Sequence, residues 1–201
     1  AETFEPIPNV KVFSSPNSSI VFMDANGNFT VSDVVTGDYS FQAKKDGFVQ
    51  ISEIFLETAE QELQHGKRFF KFLEGGSDLE ITAAFPPGII KNTETNLLNA
   101  AAGEHHEYDV LYPYFAKIAR EEGFNEIATV WEKISVAERF HEQRFLDFAR
   151  NVKEGMVFSR PQTLTWRCLK CGYLHEGDSA PEVCPACLHP QAYFEMLKIN
   201  W

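Results

Sequence analysis

The sequence has no apolar run that approaches the ~18 residues of a membrane-spanning helix. It is also poor in positive charge, since 18 Lys and Arg face 29 Asp and Glu and the formal net charge is -11. Lys and Arg dominate the surfaces that bind nucleic acid or anionic membranes, so this balance disfavours both kinds of partner. The sequence therefore predicts small or basic partners, with no nucleic acid and no membrane among them.

Cysteine is absent outside one short stretch, where two C-x-x-C pairs comprise Cys168, Cys171, Cys184 and Cys187. Two such pairs can close a tetrahedral site of four thiolates, which suits zinc or a single iron ion. The spacing alone leaves both metals open, and a structural zinc ribbon is the alternative to a redox iron. Clustered cysteines indicate metal binding rather than disulfides, and no signal-peptide pattern is visible, so we expect a reducing, cytoplasmic location.

A helical pattern is absent from residues 1–41, where strand-like runs alternate with turn signals such as Asn26-Gly27. The runs are Val10–Phe13, Ser19–Met23, Phe29–Val35 and Tyr39–Ala43. The stretch that begins at Asp24 resembles part of the prealbumin-like repeat of carboxypeptidase regulatory domains, a resemblance that implies nothing catalytic. We therefore predict a strand-like or irregular N-terminal segment over residues 1–41.

After Asp46-Gly47 the apolar residues follow a helical period. The pattern predicts helices over residues 48–73, about 93–122 and about 125–153, with a bend at Pro113 in the second. Gly75-Gly76 and Gly123 mark the ends of the first two helices. The short turn at Gly123 makes the last two helices an antiparallel hairpin.

These helices carry two E-x-x-H motifs and, between them, one E-x-x-E motif. On a helix, residues i and i+3 project from nearly the same face, so each motif presents two ligands to one cavity. Burying this many carboxylates unpaired would be costly, so a bound cation explains them better than a solvated charged face does. A set of ligands with more carboxylates than imidazoles suits iron or manganese, as in the two-metal sites of helical bundles. The candidate ligands are Glu62, His65, Glu104, Glu107, Glu138 and His141.

Tyr112 lies about one turn beyond Glu107 and is a further candidate for the site. Its hydroxyl could donate a hydrogen bond to a metal-bound carboxylate or to a peroxide, and the alternative is simple core packing. A redox-active metal pair in the same chain also favours iron over zinc between the four cysteines.

From Gln42 to Trp201 the chain resembles the rubrerythrin family. The resemblance is carried by the string QAKKDGFVQ that begins at Gln42, by the order E-x-x-H, E-x-x-E, E-x-x-H, and by the C-terminal rubredoxin-like knuckle. It implies a mainly α fold: a ferritin-like four-helix bundle over residues 42–158 and a rubredoxin-like domain over residues 159–201.

The same resemblance implies a function, a non-haem di-iron peroxidase that reduces hydrogen peroxide to water in oxidative-stress defence. Electrons would come from a rubredoxin-type or other reductase donor through the iron of the four-cysteine site, commonly across a head-to-tail homodimer. A homo-oligomer larger than a dimer is the alternative oligomeric state. An iron-binding or storage protein without peroxidase turnover is the alternative function.

The resemblance also assigns roles to single residues. It implies bridging carboxylates at Glu62 and Glu138 and terminal ligands at Glu104 and His141. It implies that His65 and Glu107 are alternative ligands of one iron as the oxidation state changes. The chain departs from the family before Gln42, where the family has a first helix with a further Glu ligand and this chain has no Glu between Pro6 and Val49.

Overall fold

The helices of the structure follow the apolar spacing of the sequence. The structure is a computed structural model that describes residues 11–12, 21–22, 37–73 and 90–199. Its helices are α1 (Gly37–Lys45), α2 (Val49–Phe70), α3 (Thr93–His106), α4 (Tyr112–Glu121) and α5 (Asn125–Lys153), and a π-helical segment (Glu107–Leu111) joins α3 to α4. Within the described ranges, no helix is both long and apolar enough to cross a bilayer.

Local signals set the ends of these helices. The Asn92 side chain caps α3, because its Oδ1 accepts a hydrogen bond of 2.9 Å from the backbone N–H of Thr95. Between α4 and α5 the chain turns at Gly123, whose φ of +88° lies in the left-handed region that glycine tolerates. The predicted tight connection between the last two helices is therefore confirmed.

One core holds α1, α2, α3 and α5 together. Phe55 of α2 stacks on Phe145 of α5, with 5.2 Å between the ring centroids. Leu97 of α3 is fully buried in the same cluster. Burial of such a side chain stabilises the fold by about 1.5–3 kcal/mol. This core fixes the three helices α2, α3 and α5, on which all but one of the candidate bundle ligands lie.

The strand predicted over Tyr39–Ala43 is wrong, because these residues lie in helix α1. Tyr39 and Ala43 are four residues apart and therefore share a helix face as readily as a strand face. Both are buried, and the Tyr39 ring packs 5.6 Å from that of Phe55. The short sequence pattern fits both a helical and a strand period, and packing against the bundle makes the segment helical.

Two of the predicted N-terminal strands are confirmed in their central residues. Strand β1 (Lys11–Val12) pairs antiparallel with β2 (Val21–Phe22). The predicted strand Phe29–Val35 lies outside the described residues, as does the predicted connection 74–89. The domain boundaries at 41/42 and 158/159 stay predictions.

The second predicted helix is divided at the predicted bend. Pro113 has no N–H to donate, and in a regular helix its ring would clash with the carbonyl group of Asp109. The π-helical segment spans Asp109, and the backbone N–H of Tyr112 donates to the carbonyl of Glu107, five residues back. The widened turn thus accommodates the proline and changes which side chains meet.

The C-terminal part is a small sheet with strand order β4-β3-β5, made of β3 (Ser159–Cys168), β4 (Leu174–Ser179) and β5 (Phe194–Met196). Trp166 is fully buried in its core and donates from Nε1 to the Gly177 carbonyl at 3.1 Å. The sheet meets the beginning of α2, where Gln50 Nε2 donates to Glu195 Oε2 at 3.3 Å. The cysteine site is therefore attached near the N-terminal end of α2.

Candidate metal centre

The bundle gathers the predicted ligands from several segments into one cluster. Helix α2 contributes Glu62 and His65, α3 contributes Glu104, and α5 contributes Glu138 and His141. Glu107 begins the π-helical segment. One potential ligand atom from each of four residues lies within 4.8 Å of the other three; these residues are Glu62, Glu104, Glu138 and His141.

Two carboxylates lie between the two histidines and direct one oxygen towards each ring. Glu62 Oε1 is 3.0 Å from His141 Nδ1, and its Oε2 is 3.1 Å from His65 Nδ1. Glu138 Oε2 is 3.0 Å from His141 Nδ1, and its Oε1 is 2.9 Å from His65 Nδ1. Of the two histidines, Glu104 contacts His141, with 3.5 Å between Glu104 Oε2 and His141 Nδ1. Two carboxylates that each divide their oxygens between two imidazoles have the arrangement that a pair of metal ions would share.

Burial without hydrogen bonds shows that this cluster fits a cation. The side chain of Glu138 is 0% exposed, and that of His141 is 3% exposed. Both oxygens of Glu138, Oε1 of Glu62, Oε2 of Glu104 and Nδ1 of His141 are buried, and the close approaches of these carboxylate oxygens to the imidazoles lack the geometry of hydrogen bonds. Each such atom carries a desolvation cost of about 1–3 kcal/mol or more. Metal ions would satisfy all five, because each of these atoms is a metal donor.

The electrostatics of the cluster show how its charges are balanced without metal. Burial alone would raise the pKa of Glu62, but contacts with His141 and His65 lower it to about 2. Burial opposes the charged form of the two imidazoles, yet contacts with the carboxylates raise the pKa of His65 to about 9 and that of His141 to about 11. The histidines therefore carry protons that a metal ion would displace.

Burial acts differently on the two carboxylates of the E-x-x-E motif. It is the main cause that raises the pKa of Glu104 to about 7 and that of Glu107 to about 7, against an ordinary 4.5. In each case a hydrogen bond or contact, from His141 for Glu104 and from Tyr112 for Glu107, only partly opposes the effect of burial. Near neutral pH both groups hold protons for much of the time.

These shifts predict that the metal-free bundle loses stability as the pH rises from 5 to 8. A raised pKa in the folded state gives stability that is complete below the unfolded pKa and is lost as the pH rises through the folded value. For Glu104 and Glu107 this loss begins near the ordinary value of 4.5 and is complete just above the folded value of about 7. For His65 and His141 it begins near the ordinary value of 6.5 and continues to about 9 and about 11, respectively. Thermal unfolding with a metal chelator should show a falling midpoint over this range.

The matched control is Glu104→Gln, which keeps the shape of the side chain but cannot titrate. We expect this variant to show a smaller fall in the unfolding midpoint between pH 5 and 8. An unchanged slope would contradict the assignment of the raised pKa to Glu104.

Tyr112 is brought to Glu107 by the π-helical segment. Its hydroxyl donates to Glu107 Oε2 at 2.7 Å. In a regular α-helix, residues i and i+5 lie about 140° apart around the axis and do not meet. The widened turn removes this separation, so the hydrogen bond depends on the π-helical geometry. Glu107 thus contacts Tyr112 and is not among the four residues whose ligand atoms converge.

Sequence reasoning missed Gln61, which contacts a cluster residue. Its Oε1 lies 2.9 Å from Nε2 of His141. Nothing in the spacing distinguishes Gln61 from the other polar residues on α2, so the structure is needed to find it. Among the described residues, no fifth carboxylate joins the cluster as a seventh ligand, which leaves the first-helix ligand of the resembled family without a counterpart there.

The four predicted cysteines form the second candidate metal centre. Their sulfur atoms lie within 4.8 Å of one another, and all four cysteines are free. The Sγ atoms of Cys168 and Cys187 are 3.7 Å apart, as are those of Cys171 and Cys184. A disulfide requires about 2.05 Å. A tetrahedron with metal–sulfur bonds of about 2.3 Å has edges of about 3.8 Å, so the thiols are spaced for one metal ion.

Backbone groups surround these sulfur atoms. Burial raises the pKa of Cys184, but backbone N–H groups of Ala186 and Cys187 and contacts with neighbouring thiols lower it to about 7. Each C-x-x-C pair is followed by a residue with positive φ, Gly172 at +76° and Leu188 at +62°. This turn directs N–H groups towards sulfur, where their hydrogen bonds stabilise thiolate and tune a bound iron.

Comparisons with known proteins agree with both centres. The rubrerythrin family model matches residues 38–149, and the model of the rubrerythrin rubredoxin-like domain matches residues 166–195. A curated rubrerythrin from Nitratidesulfovibrio vulgaris is 69% identical over 160 residues, which are 80% of this chain and 83% of that protein. A rubrerythrin from Porphyromonas gingivalis is 55% identical over 159 residues, 79% of each chain.

A solved structure is also similar. The fully reduced, all-ferrous state of nigerythrin matches with a TM-score of 0.50 and 27% identity, over 81% of this chain and 77% of that one. These matches confirm the predicted mainly α fold, with a ferritin-like bundle followed by a rubredoxin-like domain. The carboxylate–histidine cluster suits a di-iron centre, and the four thiolates suit a rubredoxin-like iron site. The chain belongs to the rubrerythrin family.

Proposed function

We propose that the chain is a non-haem di-iron peroxidase that reduces hydrogen peroxide to water. The observation that carries this proposal is the pair of carboxylates, Glu62 and Glu138, that each present one oxygen to each of two histidines. A second metal site of four thiolates in the same chain adds a means of electron supply. Two bound ferrous ions would supply the two electrons that break the O–O bond, with two protons completing two molecules of water.

The geometry supports distinct roles for the ligands. Glu62 and Glu138 have the positions of bridging carboxylates, while Glu104 approaches only His141 and would be a terminal ligand with it. We assign the role of alternative ligands to His65, which faces the other oxygens of Glu62 and Glu138, and to Glu107, which is held by Tyr112.

The end of the site at Glu107 is also shielded. The Tyr112 ring lies 4.9 Å from that of Trp131, which stacks 3.8 Å from Phe69. These rings exclude water next to the Tyr112 hydroxyl, whose pKa burial raises above its ordinary value. The hydroxyl therefore keeps its proton at neutral pH and acts as a hydrogen-bond donor.

The positions of the two centres support electron delivery between copies of the chain. The small sheet contacts α2 at Gln50, whereas the first bundle ligand, Glu62, is 12 positions further along the helix. At 1.5 Å per residue this is about 18 Å along the axis. We therefore propose a homodimer in which the thiolate-bound iron of one copy serves the bundle of the other, with a rubredoxin-type or other reductase donor in the cytoplasm.

Peroxide consumption by the iron-loaded chain tests the proposal. With a reduced rubredoxin-type donor, the chain should consume hydrogen peroxide far faster than the same concentration of free iron. Elemental analysis and the visible absorption of thiolate-bound iron should be recorded on the same sample. If iron is bound and peroxide decays no faster than with free iron, the chain stores iron and the peroxidase proposal is wrong. A colourless, zinc-only protein would instead support a structural role.

A further inference from the structure

His141 is held on the side that faces away from the metal cluster. Its Nε2 lies 2.9 Å from Oε1 of Gln61, while its Nδ1 faces Glu62 and Glu138. An imidazole that binds metal through one nitrogen usually donates the N–H of the other to a fixed acceptor. Gln61 lies one residue before the cluster ligand Glu62 on the same helix, and its side chain occupies this outer position.

The orientation of the Gln61 amide is fixed by its other end. Gln61 Nε2 donates to Oε1 of Glu57, one turn earlier on α2, at 3.2 Å. A carboxylate can only accept, so the NH2 group must face Glu57 and the carbonyl oxygen must face His141. Glu57 is held in turn by Arg144, whose Nη1 donates to the same oxygen at 3.0 Å.

Arg144 is itself anchored inside the bundle. Its side chain is 11% exposed, and its Nη2 donates to Oγ1 of Thr58 at 2.6 Å. Thr58 is almost fully buried on α2. The hydrogen bonds therefore connect Arg144 of α5 to the ligand His141 of α5 through two residues of α2, with Glu57 accepting from both Arg144 and Gln61 and with Gln61 accepting from His141.

We propose that Gln61 is a positioning residue for the metal site, because its carbonyl oxygen holds the His141 proton on Nε2. An imidazole with its proton on Nε2 offers the lone pair of Nδ1, and Nδ1 is the atom that faces the carboxylates. The Gln61 hydrogen bond also fixes the plane of the ring. Gln61 thus selects the one tautomer and orientation in which His141 is a ligand.

His65 provides the contrast within the same cluster. Its described contacts, with Glu62 and Glu138, are both made through Nδ1. In the described part of the chain, no hydrogen bond holds its Nε2 as Gln61 holds that of His141. His141 is therefore held at both ring nitrogens, whereas the described hydrogen-bond and ion-pair contacts of His65 involve Nδ1 alone.

Manganese binding tests this inference independently of catalysis. Mn²⁺ prefers carboxylate and imidazole ligands to thiolates, and loss of its free EPR signal measures uptake by the bundle. We expect Gln61→Leu to weaken Mn²⁺ binding by about 10- to 100-fold, as loss of an outer hydrogen bond to a metal-bound histidine does. Gln61→Glu keeps an oxygen acceptor for Nε2–H but loses the donor to Glu57, so it should bind Mn²⁺ more tightly than Gln61→Leu and more weakly than the unaltered chain.

Gln64→Leu is the matched control. Gln64 lies on the same helix and donates to Glu60, one turn earlier, at 3.3 Å, as Gln61 donates to Glu57. Gln64 is exposed, and its described hydrogen bond goes to Glu60 and not to a ligand, so this variant should bind Mn²⁺ as the unaltered chain does. Thermal unfolding of each variant without metal checks that the bundle is intact.

A second measurement addresses the ring itself. In the zinc-loaded protein, long-range proton–nitrogen NMR should show Nδ1 of His141 as the metal-bound atom and a slowly exchanging proton on Nε2. In Gln61→Leu this proton should exchange rapidly with water. Equal Mn²⁺ affinity for Gln61→Leu and Gln64→Leu, or binding of zinc through Nε2, would overturn the inference.

The inference rests on metal binding by the bundle, and the experiment separates the two questions. If the unaltered chain takes up Mn²⁺ and Gln61→Leu takes it up equally well, only the positioning role fails. If the unaltered chain takes up none, the proposed metal site and the role of Gln61 fail together.

Discussion

Replacing Glu138 by alanine should remove both metal ions from the bundle and abolish peroxide reduction, while the thiolate-bound iron stays in place. Glu138 is fully buried on α5 and places one oxygen 2.9 Å from His65 and the other 3.0 Å from His141. Loss of this carboxylate would take a ligand from both ions and leave two imidazoles without their shared partner. Iron content should fall to that of the thiolate site, and peroxide should decay at the rate seen with free iron.

Two further variants make this result specific. Glu142 lies one turn beyond Glu138 on α5 and contacts the exposed His105 at 3.0 Å, so Glu142→Ala should retain full iron content and turnover. Glu107→Ala should keep its metal but slow peroxide reduction, because Glu107 contacts Tyr112 rather than the histidines. If Glu107→Ala and Glu138→Ala lost iron equally, the division of roles among the carboxylates would be wrong.

The helices and both metal centres were predictable because their signals are periodic. An E-x-x-H motif on a helix fixes the relative position of its two ligands from spacing alone, and the bundle core follows from apolar residues such as Phe55 and Phe145. The C-x-x-C pairs determine a compact four-thiolate site in the same way. In each case the decisive geometry lies within a few residues of sequence.

The failures occurred where the geometry depends on distant contacts. Residues Tyr39–Ala43 read as a strand, but burial of Tyr39 against Phe55 makes them helical. The hydrogen bond from Tyr112 to a carboxylate of the site was expected, but its geometry was not, because a proline alone predicts a bend and not the π-helical segment that brings Tyr112 to Glu107. Gln61 could not be singled out from the sequence, because it contacts the site through the side chain of His141, eighty residues away.

Replacing Cys171 by serine should stop peroxide turnover with an external donor, yet leave one reaction of the reduced bundle intact. The thiol of Cys171 lies 3.7 Å from that of Cys184 in the four-sulfur cluster, so the variant loses one of four thiolate ligands. Its visible charge-transfer absorption should change accordingly. A bundle that has been reduced chemically beforehand still holds two electrons, so it should consume one peroxide at an unaltered rate. Loss of this single turnover as well would show that the cysteine domain supports structure and not electron supply.

Mixed dimers show which copy supplies the electrons. We would co-express Cys171→Ser chains with Glu138→Ala chains under different affinity tags and purify the species that carries both tags. Each homodimer should be inactive, because one lacks the electron entry site and the other lacks the metal pair. The mixed dimer holds one intact bundle opposite one intact four-cysteine site on the other chain, so it should regain up to half of the normal rate. The separation along α2 between Gln50, at the small sheet, and Glu62 is the reason to expect this crossing between chains. An inactive mixed dimer with full metal content at its intact sites would place electron transfer within a single chain instead.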